Sequence, residues 1–238
     1  GIGIYIWNRN QSFELIERLQ KQNPNLKIVI GGPEVSFETE TSINCPIISG
    51  EGEKKWLEYL EITCKGQVPS EEVLNRWKTY GVDLPDLSPG YIEEDYEQLN
   101  NRIVYFETSR GCPYLCSFCL SALDKTVRYF DDKVIHKQIE GLVKANVKKF
   151  KFVDRTFNLK PSRMQDLMKW LSQFNGCEFH FEVVGDILTP SILKFLNTVP
   201  PGMFQFEIGI QTTDIVVQDN IQRKQNNKRL FEIIKTLV

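Results

Sequence analysis

Three cysteines lie within eight residues of one another, at Cys112, Cys116 and Cys119. Cysteine thiolates are the usual ligands of iron–sulfur clusters, and one curled loop can turn three of them inward. A structural zinc ion, or a cluster bound only by protein, needs a fourth ligand. Because no other Cys or His lies nearby in the sequence, an open coordination position is the simpler interpretation. Such a position predicts chemistry at this loop.

A fourth ligand could also come from a distant part of the chain, and the candidates are His136, His180 and Cys177. Six cysteines in total would also allow disulfides. The clustering of three of them, in a sequence without a visible secretion signal, favours a metal or cluster site in a reducing cytoplasm.

The composition is that of an ordinary globular protein, with 41% hydrophobic and 25% charged residues among 238. No apolar run approaches the roughly 20 residues of a membrane span. The formal net charge is −2, and acids and bases are mixed along the chain. The sequence therefore gives no indication of a nucleic-acid partner.

From residue 102 onward, apolar strands alternate with amphipathic helices, a rhythm typical of a parallel α/β sheet or barrel. The predicted strands are Ile103–Glu107, Lys149–Val153, Glu178–Val184 and Phe204–Ile210. The last two strands carry polar residues at every second position. Such polar faces predict a barrel interior that lines a ligand site, near the carboxyl ends of the strands. The alternative is a one-sided antiparallel sheet with water on its polar face.

The first third of the chain also alternates strand and helix, with predicted strands at Gly3–Trp7, Leu26–Ile30 and Pro46–Ile48. Residues 66–101 are rich in proline and acidic residues and predict a linker with one short helix. We therefore expect a domain over residues 1–65, this linker, and a second domain over residues 102–238. Both ends fall inside predicted elements, so we expect a fragment of a longer protein with both domains truncated.

The cysteine loop, which follows the first strand of the second domain, resembles the CxxxCxxC signature of the radical S-adenosylmethionine (SAM) superfamily. The resemblance implies that Cys112, Cys116 and Cys119 hold three irons of a [4Fe–4S] cluster. The fourth iron would bind the amino and carboxylate groups of SAM. One-electron reduction would then cleave SAM to methionine and a deoxyadenosyl radical, while the protein positions the reactants.

The same resemblance implies SAM-binding roles for four further residues, which are Phe118, Asp154, Glu182 and Gln211. Phe118 would lie by the adenine. Asp154 stands where the family often has a Gly-Gly-Glu motif for the amino group, and the usual glycines are missing here. Glu182 and Gln211 stand where the family often contacts the ribose or the methionine. For the acids, a helix cap or a structural ion pair is the alternative.

The front third resembles the cobalamin-binding, Rossmann-like domain that is fused to many radical enzymes. The resemblance rests on two glycine-rich turns, Gly31-Gly32-Pro33 and Gly50-Glu51-Gly52. Glycines in such turns let the backbone approach a ligand closely. Tight turns that merely end parallel strands are the alternative. The fold expected for the whole chain is thus α/β, a partial cobalamin-binding-type domain followed by a partial radical SAM barrel.

Three functions remain open at this point. The first is a cobalamin-associated radical SAM enzyme that performs methyl transfer or a radical rearrangement. The second is a radical SAM enzyme whose front domain binds no cobalamin, and the third is a non-catalytic interaction module that carries a cluster or zinc. The resemblance implies a cytoplasmic protein, a small-molecule or peptide substrate, and an electron donor such as flavodoxin or ferredoxin.

Overall fold

The computed structural model describes residues 1–37, 43–80 and 90–237. The chain forms two compact units, residues 1–83 and 84–238. Each unit contains a parallel sheet, as the alternating pattern predicts. Among the described residues, no helix is both long and apolar enough to cross a membrane.

The first unit contains a small parallel sheet, and its described residues also form three helices. Its strands are β1 (Ile2–Gly3), β2 (Ile30–Gly31) and β3 (Ile47–Ile48), in the order β1-β2-β3. Its helices are α1 (Arg9–Gln22), α2 (Glu53–Cys64) and α3 (Glu71–Lys78). Isoleucines pair across the sheet and build its core together with Ile4 and Ile16, which are fully buried.

The first strand is shorter than the predicted Gly3–Trp7. The Asn8 side chain forms hydrogen bonds with the backbone of Gly3 and Tyr5, so that the chain turns instead of extending the strand. The Asn8 carbonyl accepts a hydrogen bond from the Tyr5 amide at 2.7 Å, and its amide donates to the Gly3 carbonyl at 3.0 Å. Residues 6–8 therefore turn, and the Tyr5 and Trp7 rings stack at the surface, 4.7 Å apart.

The Gly31-Gly32-Pro33 turn begins at the last residue of β2 and packs against Ile4, the residue after β1. Gly32 has a φ of +104°, and a Cβ at this position would lie 2.5 Å from the Ile4 carbonyl oxygen. A side chain is therefore excluded by conformation and by contact. The contact with the Ile4 carbonyl therefore requires glycine at position 32.

The predicted linker, residues 66–101, contains two ordered elements that belong to hydrophobic cores. Trp77 on α3 is fully buried with Val29 and Tyr59 in the first unit, and its indole N–H donates to Glu58 at 2.7 Å. A 3₁₀ helix, Glu93–Leu99, places Tyr96 in the core of the second unit. The proline and acidic content of this segment predicts a linker. Such composition does not show that a single aromatic residue, such as Trp77 or Tyr96, is buried in a neighbouring core. Residues 81–89 lie outside the described residues.

The second unit is built on a four-stranded, fully parallel sheet in the order β4-β7-β8-β9. Its strands are β4 (Ile103–Phe106), β7 (Lys149–Phe152), β8 (Glu178–Val183) and β9 (Phe204–Ile208). The short strands β5 (Ser109–Arg110) and β6 (Arg128–Tyr129) form an antiparallel pair beside it. The parallel register rules out the antiparallel alternative for the four long strands.

Helices separate the strands and cover the apolar face of the sheet. They are α4 (Asp132–Lys144), α5 (Pro161–Leu171), α6 (Pro190–Leu196), α7 (Ile215–Asn220) and α8 (Asn227–Leu237). Asp131, Thr189 and Asp214 cap α4, α6 and α7 by accepting from backbone N–H groups, as N-cap residues do.

The alternation along β8 has the predicted orientation. Phe179, Phe181 and Val183 are buried against the helices, while His180 and Glu182 lie on the opposite face. On that face Glu207 of β9 contacts the Lys151 ammonium and the His180 imidazole, each at 3.4 Å. Because burying unpaired charge is costly, this polar face must meet solvent or a polar ligand.

Candidate cluster and cofactor site

The three cysteines lie in a loop whose base is closed by the β5–β6 pair. Ser109 pairs with Tyr129 and Arg110 with Arg128, so residues 111–127 form one excursion from the sheet. The Phe130 amide donates to the Thr108 carbonyl at 3.0 Å and extends this closure. The loop therefore leaves and rejoins the fold at one fixed point.

Gly111 lets the chain enter the loop. Its φ is +89°, and a Cβ here would lie 2.2 Å from the Thr126 carbonyl oxygen. The next amide, that of Cys112, donates to the Asp124 carbonyl at 3.0 Å. The start of the loop thus lies directly on its end, which only glycine permits.

Cys116 and Cys119 belong to one tight turn, in which the Cys119 amide donates to the Cys116 carbonyl at 3.0 Å. The Ser117 amide donates to the Ile221 carbonyl at 3.0 Å, which ties the turn to the end of α7. The Cys112 and Cys116 side chains are buried, and Cys119 is half-buried.

All three cysteines border one cavity of about 210 Å³. The cavity lies at the carboxyl ends of β7, β8 and β9, where parallel sheets usually bind ligands. Its lining also contains Tyr114, Phe118, Ser121, Arg155, Thr156, Glu182, Val183, Val184, Glu207, Gly209, Gln211 and Arg223.

The donor set fits a cluster with an open position. Three thiols from one loop border a space that is also lined by carboxylates, guanidinium groups and two aromatic rings. Among the described residues, no three or more His, Cys, Asp or Glu side chains have the arrangement of a metal-ion site. A [4Fe–4S] cluster binds each thiolate at a different iron, so its ligands need not converge on one point.

Three of the four predicted SAM-binding residues line this cavity. They are Phe118 on the cysteine loop, Glu182 at the end of β8, and Gln211 after β9. Gln211 has a φ of +62°, a conformation that is unusual for a residue other than glycine. Strain of this kind often occurs at ligand sites.

Asp154 has a different position. Its side chain is fully buried, and both of its oxygens accept hydrogen bonds from the start of the cysteine loop. The donors are the Thr108 amide at 3.0 Å, the Thr108 hydroxyl at 2.7 Å and the Ser109 hydroxyl at 2.5 Å. Burial raises the pKa of Asp154, and these hydrogen bonds oppose the rise. The carboxylate thus braces the start of the cysteine loop, and it is absent from the cavity lining.

Arg163 of α5 completes this brace. Its guanidinium donates to the Thr108 hydroxyl at 3.3 Å and to Asp132 at 2.6 Å, and it lies over the Tyr129 ring. The base of the cysteine loop is therefore held by β7 through Asp154 and by α5 through Arg163.

Two residues that sequence reasoning missed contact the cysteine sulfurs. The Thr156 hydroxyl lies 3.5 Å from the Cys112 sulfur, and the Arg223 guanidinium lies 3.9 Å from the Cys116 sulfur. Thr156 belongs to the polar segment that ends β7, so its position was a usable signal. Arg223 lies 107 residues from Cys116, and the sequence contains no sign of the contact.

Comparison with known proteins agrees with this arrangement. A family model described as the radical SAM superfamily matches residues 106–238, which is more than half of the chain. The chain therefore belongs to the radical SAM superfamily, a superfamily of enzymes whose members use a [4Fe–4S] cluster and SAM.

Three curated relatives show how far the likeness extends. The cobalamin-dependent radical SAM methyltransferase TokK of Streptomyces tokunonensis is 25% identical over 192 residues, which are 69% of this chain and 28% of TokK. The 2-(S-pantetheinyl)-carbapenam-3-carboxylate methyltransferase of Streptantibioticus cattleyicolor is 24% identical over 191 residues, with the same coverage of 69% and 28%. The ribosomal protein uS12 methylthiotransferase RimO of Dictyoglomus thermophilum is 24% identical over 233 residues, 91% of this chain and 49% of RimO. The chain thus spans between 28% and 49% of the length of these relatives.

Proposed function

We propose that this protein is a radical SAM enzyme that transfers a methyl or methylthio group, with Cys112, Cys116 and Cys119 as the cluster ligands. The observation that carries the proposal is the convergence of these thiols with Phe118, Glu182 and Gln211 on one cavity. These residues come from the cysteine loop, from β8 and from the segment after β9, and they line the same cavity.

Different side chains of the cavity would contact different groups of SAM. The half-exposed Phe118 ring offers an apolar face to the adenine. The carboxylates of Glu182 and Glu207 would accept from hydroxyl or ammonium groups, and Gln211 supplies an amide that can donate and accept. A [4Fe–4S] cluster held by Cys112, Cys116 and Cys119 would supply the single electron needed for reductive cleavage of SAM.

The transfer of a one-carbon group is supported by the names of the relatives, two methyltransferases and one methylthiotransferase. A radical rearrangement is the other chemistry that the cavity would serve. The substrate in this proposal is a small molecule or a peptide. The electron would come from a donor of the flavodoxin or ferredoxin class, and the expected compartment is the cytoplasm.

Cobalamin dependence is a separate part of the proposal. Its support is the word cobalamin in the name of one relative, together with the Gly31-Gly32-Pro33 and Gly50-Glu51-Gly52 turns of the first unit. Hydroxocobalamin that co-elutes with the protein in gel filtration would support this part. Failure to co-elute would favour a radical SAM enzyme whose front unit binds no cobalamin.

Anaerobic reconstitution of the chain tests the main proposal. We expect about four irons and four sulfides per chain, and release of deoxyadenosine when the reduced protein is mixed with SAM. Replacing any one of the three loop cysteines by alanine should remove most of the iron. The matched control is Cys64→Ala, because Cys64 is exposed on α2 in the first unit. Bound zinc without iron would contradict the proposal and favour an interaction module.

A further inference from the structure

Two of the three cluster cysteines have a polar side chain within contact distance of the sulfur. Thr156 approaches Cys112, and Arg223 approaches Cys116. In the part of the chain that the structure describes, Cys119 has no comparable polar side-chain contact. The three sulfurs therefore have different polar surroundings. Thr156 comes from the segment after β7, and Arg223 comes from the connection between α7 and α8.

The Thr156 contact is buried and fixed by its backbone. The side chain is 4% exposed, and the Thr156 carbonyl accepts from the Leu159 amide at 3.2 Å in a turn. Asp154, two residues earlier, is held by its three hydrogen bonds to Thr108 and Ser109. When Cys112 is a thiolate, its sulfur can only accept, so the Thr156 hydroxyl becomes the donor.

One hydrogen bond holds the Arg223 guanidinium, and another holds its backbone. One terminal nitrogen donates to the Gly209 carbonyl at 2.5 Å, and the Arg223 amide donates to the Gln218 carbonyl at 2.8 Å. The other terminal nitrogen faces the Cys116 sulfur at 3.9 Å. The Nε atom is buried without a hydrogen-bond partner among the described residues. A full positive charge is therefore fixed beside one ligand of the cluster.

We propose that Thr156 and Arg223 are positioning residues that raise the reduction potential of the cluster through their contacts with Cys112 and Cys116. The proposal rests on the function proposed above. Addition of one electron places extra negative charge on the cluster and its sulfurs. A hydroxyl donor and a cation at the sulfurs stabilise that charge, and hydrogen bonds to the sulfurs are among the factors that set such potentials.

The chain offers matched controls in the same cavity. Ser121 carries a hydroxyl on the cysteine loop, and Arg155 carries a guanidinium at the end of β7. Neither side chain contacts a cysteine sulfur in the described structure. Comparing Thr156→Val with Ser121→Ala, and Arg223→Met with Arg155→Met, therefore separates contact with sulfur from mere presence in the cavity.

The experiment is an anaerobic potentiometric titration of the reconstituted chain, followed by electron paramagnetic resonance of the reduced cluster. For Arg223→Met we expect the reduced-to-oxidised ratio at a fixed potential to fall on the order of tenfold, which equals ~59 mV for one electron. Thr156→Val should lower the ratio several-fold. Thr156→Ser should keep the wild-type ratio, because it retains the hydroxyl. Arg223→Lys should lower the ratio less than Arg223→Met does, because it retains the positive charge. Ser121→Ala should titrate like the wild type, and Arg155→Met should shift the ratio less than Arg223→Met, because only the Arg223 guanidinium contacts a cysteine sulfur.

The results separate this inference from the proposed function. If the wild type takes up no [4Fe–4S] cluster, both are overturned. If the cluster forms, and Thr156→Val and Arg223→Met titrate at the wild-type potential with wild-type iron content, only the tuning proposal is overturned. A variant that loses iron is replaced by another that also removes the contact, Thr156→Ala or Arg223→Gln. Equal shifts in the control variants would also contradict tuning through the sulfurs.

Discussion

The two units both carry a short motif where parallel strands end, and they use it in different ways. In the first unit, the Gly31-Gly32-Pro33 turn packs backbone on backbone, with Gly32 against the Ile4 carbonyl. In the second unit, Gly111 likewise packs against a backbone carbonyl, that of Thr126, at the base of the cysteine loop. The residues that follow Gly111 place three thiols at the border of a cavity. Only the second motif brings reactive side chains together.

A glycine-rich turn does not by itself identify a ligand site. A glycine records that the backbone needs a particular conformation or a close neighbour. It does not reveal whether that neighbour is a ligand or another strand. Cysteines are more informative, because three thiols that face one cavity have few explanations other than a metal or cluster site. The glycine-rich turns therefore support a cobalamin site less strongly than the three cysteines support a cluster site.

The largest expected effect distinguishes the two glycines. Gly111→Ala and Gly32→Ala each force a side chain into a positive φ and against a carbonyl oxygen, at 2.2 Å and 2.5 Å. We expect each to cost about 2–5 kcal/mol in the free energy of unfolding, from the strained φ and the overpacking together. Gly111→Ala should in addition remove most of the iron from the reconstituted protein, whereas folded Gly32→Ala should keep it.

Denaturant unfolding and iron analysis of the two variants would test this comparison. Gly32→Ala is the control for general loss of stability, because its site lies in the other unit. Wild-type iron content in Gly111→Ala would show that the loop conformation described here is not needed for cluster binding.

A smaller effect is expected at Asp154, whose carboxylate contacts the start of the cysteine loop. Asp154→Ala leaves the Thr108 amide and two hydroxyls buried without their acceptor, so we expect a loss of about 1–3 kcal/mol in stability. Asp154→Asn keeps one acceptor oxygen and should cost less. Because the carboxylate points at the loop rather than at the cavity, SAM affinity of reconstituted Asp154→Asn should stay near that of the wild type.

Thermal unfolding and equilibrium dialysis with SAM would measure the two quantities. A variant with unchanged stability and strongly reduced SAM affinity would mean that Asp154 binds the cofactor directly.

The sequence predicted the second unit well because its signals are local. Alternation along β8, with Phe179 and Phe181 opposite His180 and Glu182, is a direct record of which face is buried. The loop cysteines lie so close in sequence that their meeting follows from chain connectivity. The predicted strands differ from the observed ones by one or two residues at the carboxyl ends.

The rest depended on contacts that no local pattern contains. Tyr5 leaves the sheet because Asn8 captures its amide, and Trp77 anchors a predicted linker in a core. Arg223 reaches Cys116 across 107 residues. Asp154 could be placed near the site from its position after β7, but its orientation depended on Thr108 and Ser109 as donors. Side-chain direction at a strand end is set by partners from elsewhere in the fold.

The smallest expected effect concerns two glutamates on the same face of β8. Glu182 lines the cavity, while Glu178 is four residues earlier, where it pairs with Lys149 at the surface. If the Glu182 carboxylate accepts a hydrogen bond from SAM, Glu182→Gln should weaken SAM binding about tenfold, since a charged hydrogen bond contributes roughly 1.5–3 kcal/mol and the amide keeps part of it. Glu178→Gln should leave the affinity unchanged.

Equilibrium dialysis with reconstituted protein of equal iron content would measure the SAM affinity of both variants. Equal affinities in the two variants would exclude Glu182 from SAM binding and leave the Glu207 carboxylate to be tested in its place, because it borders the same cavity from β9.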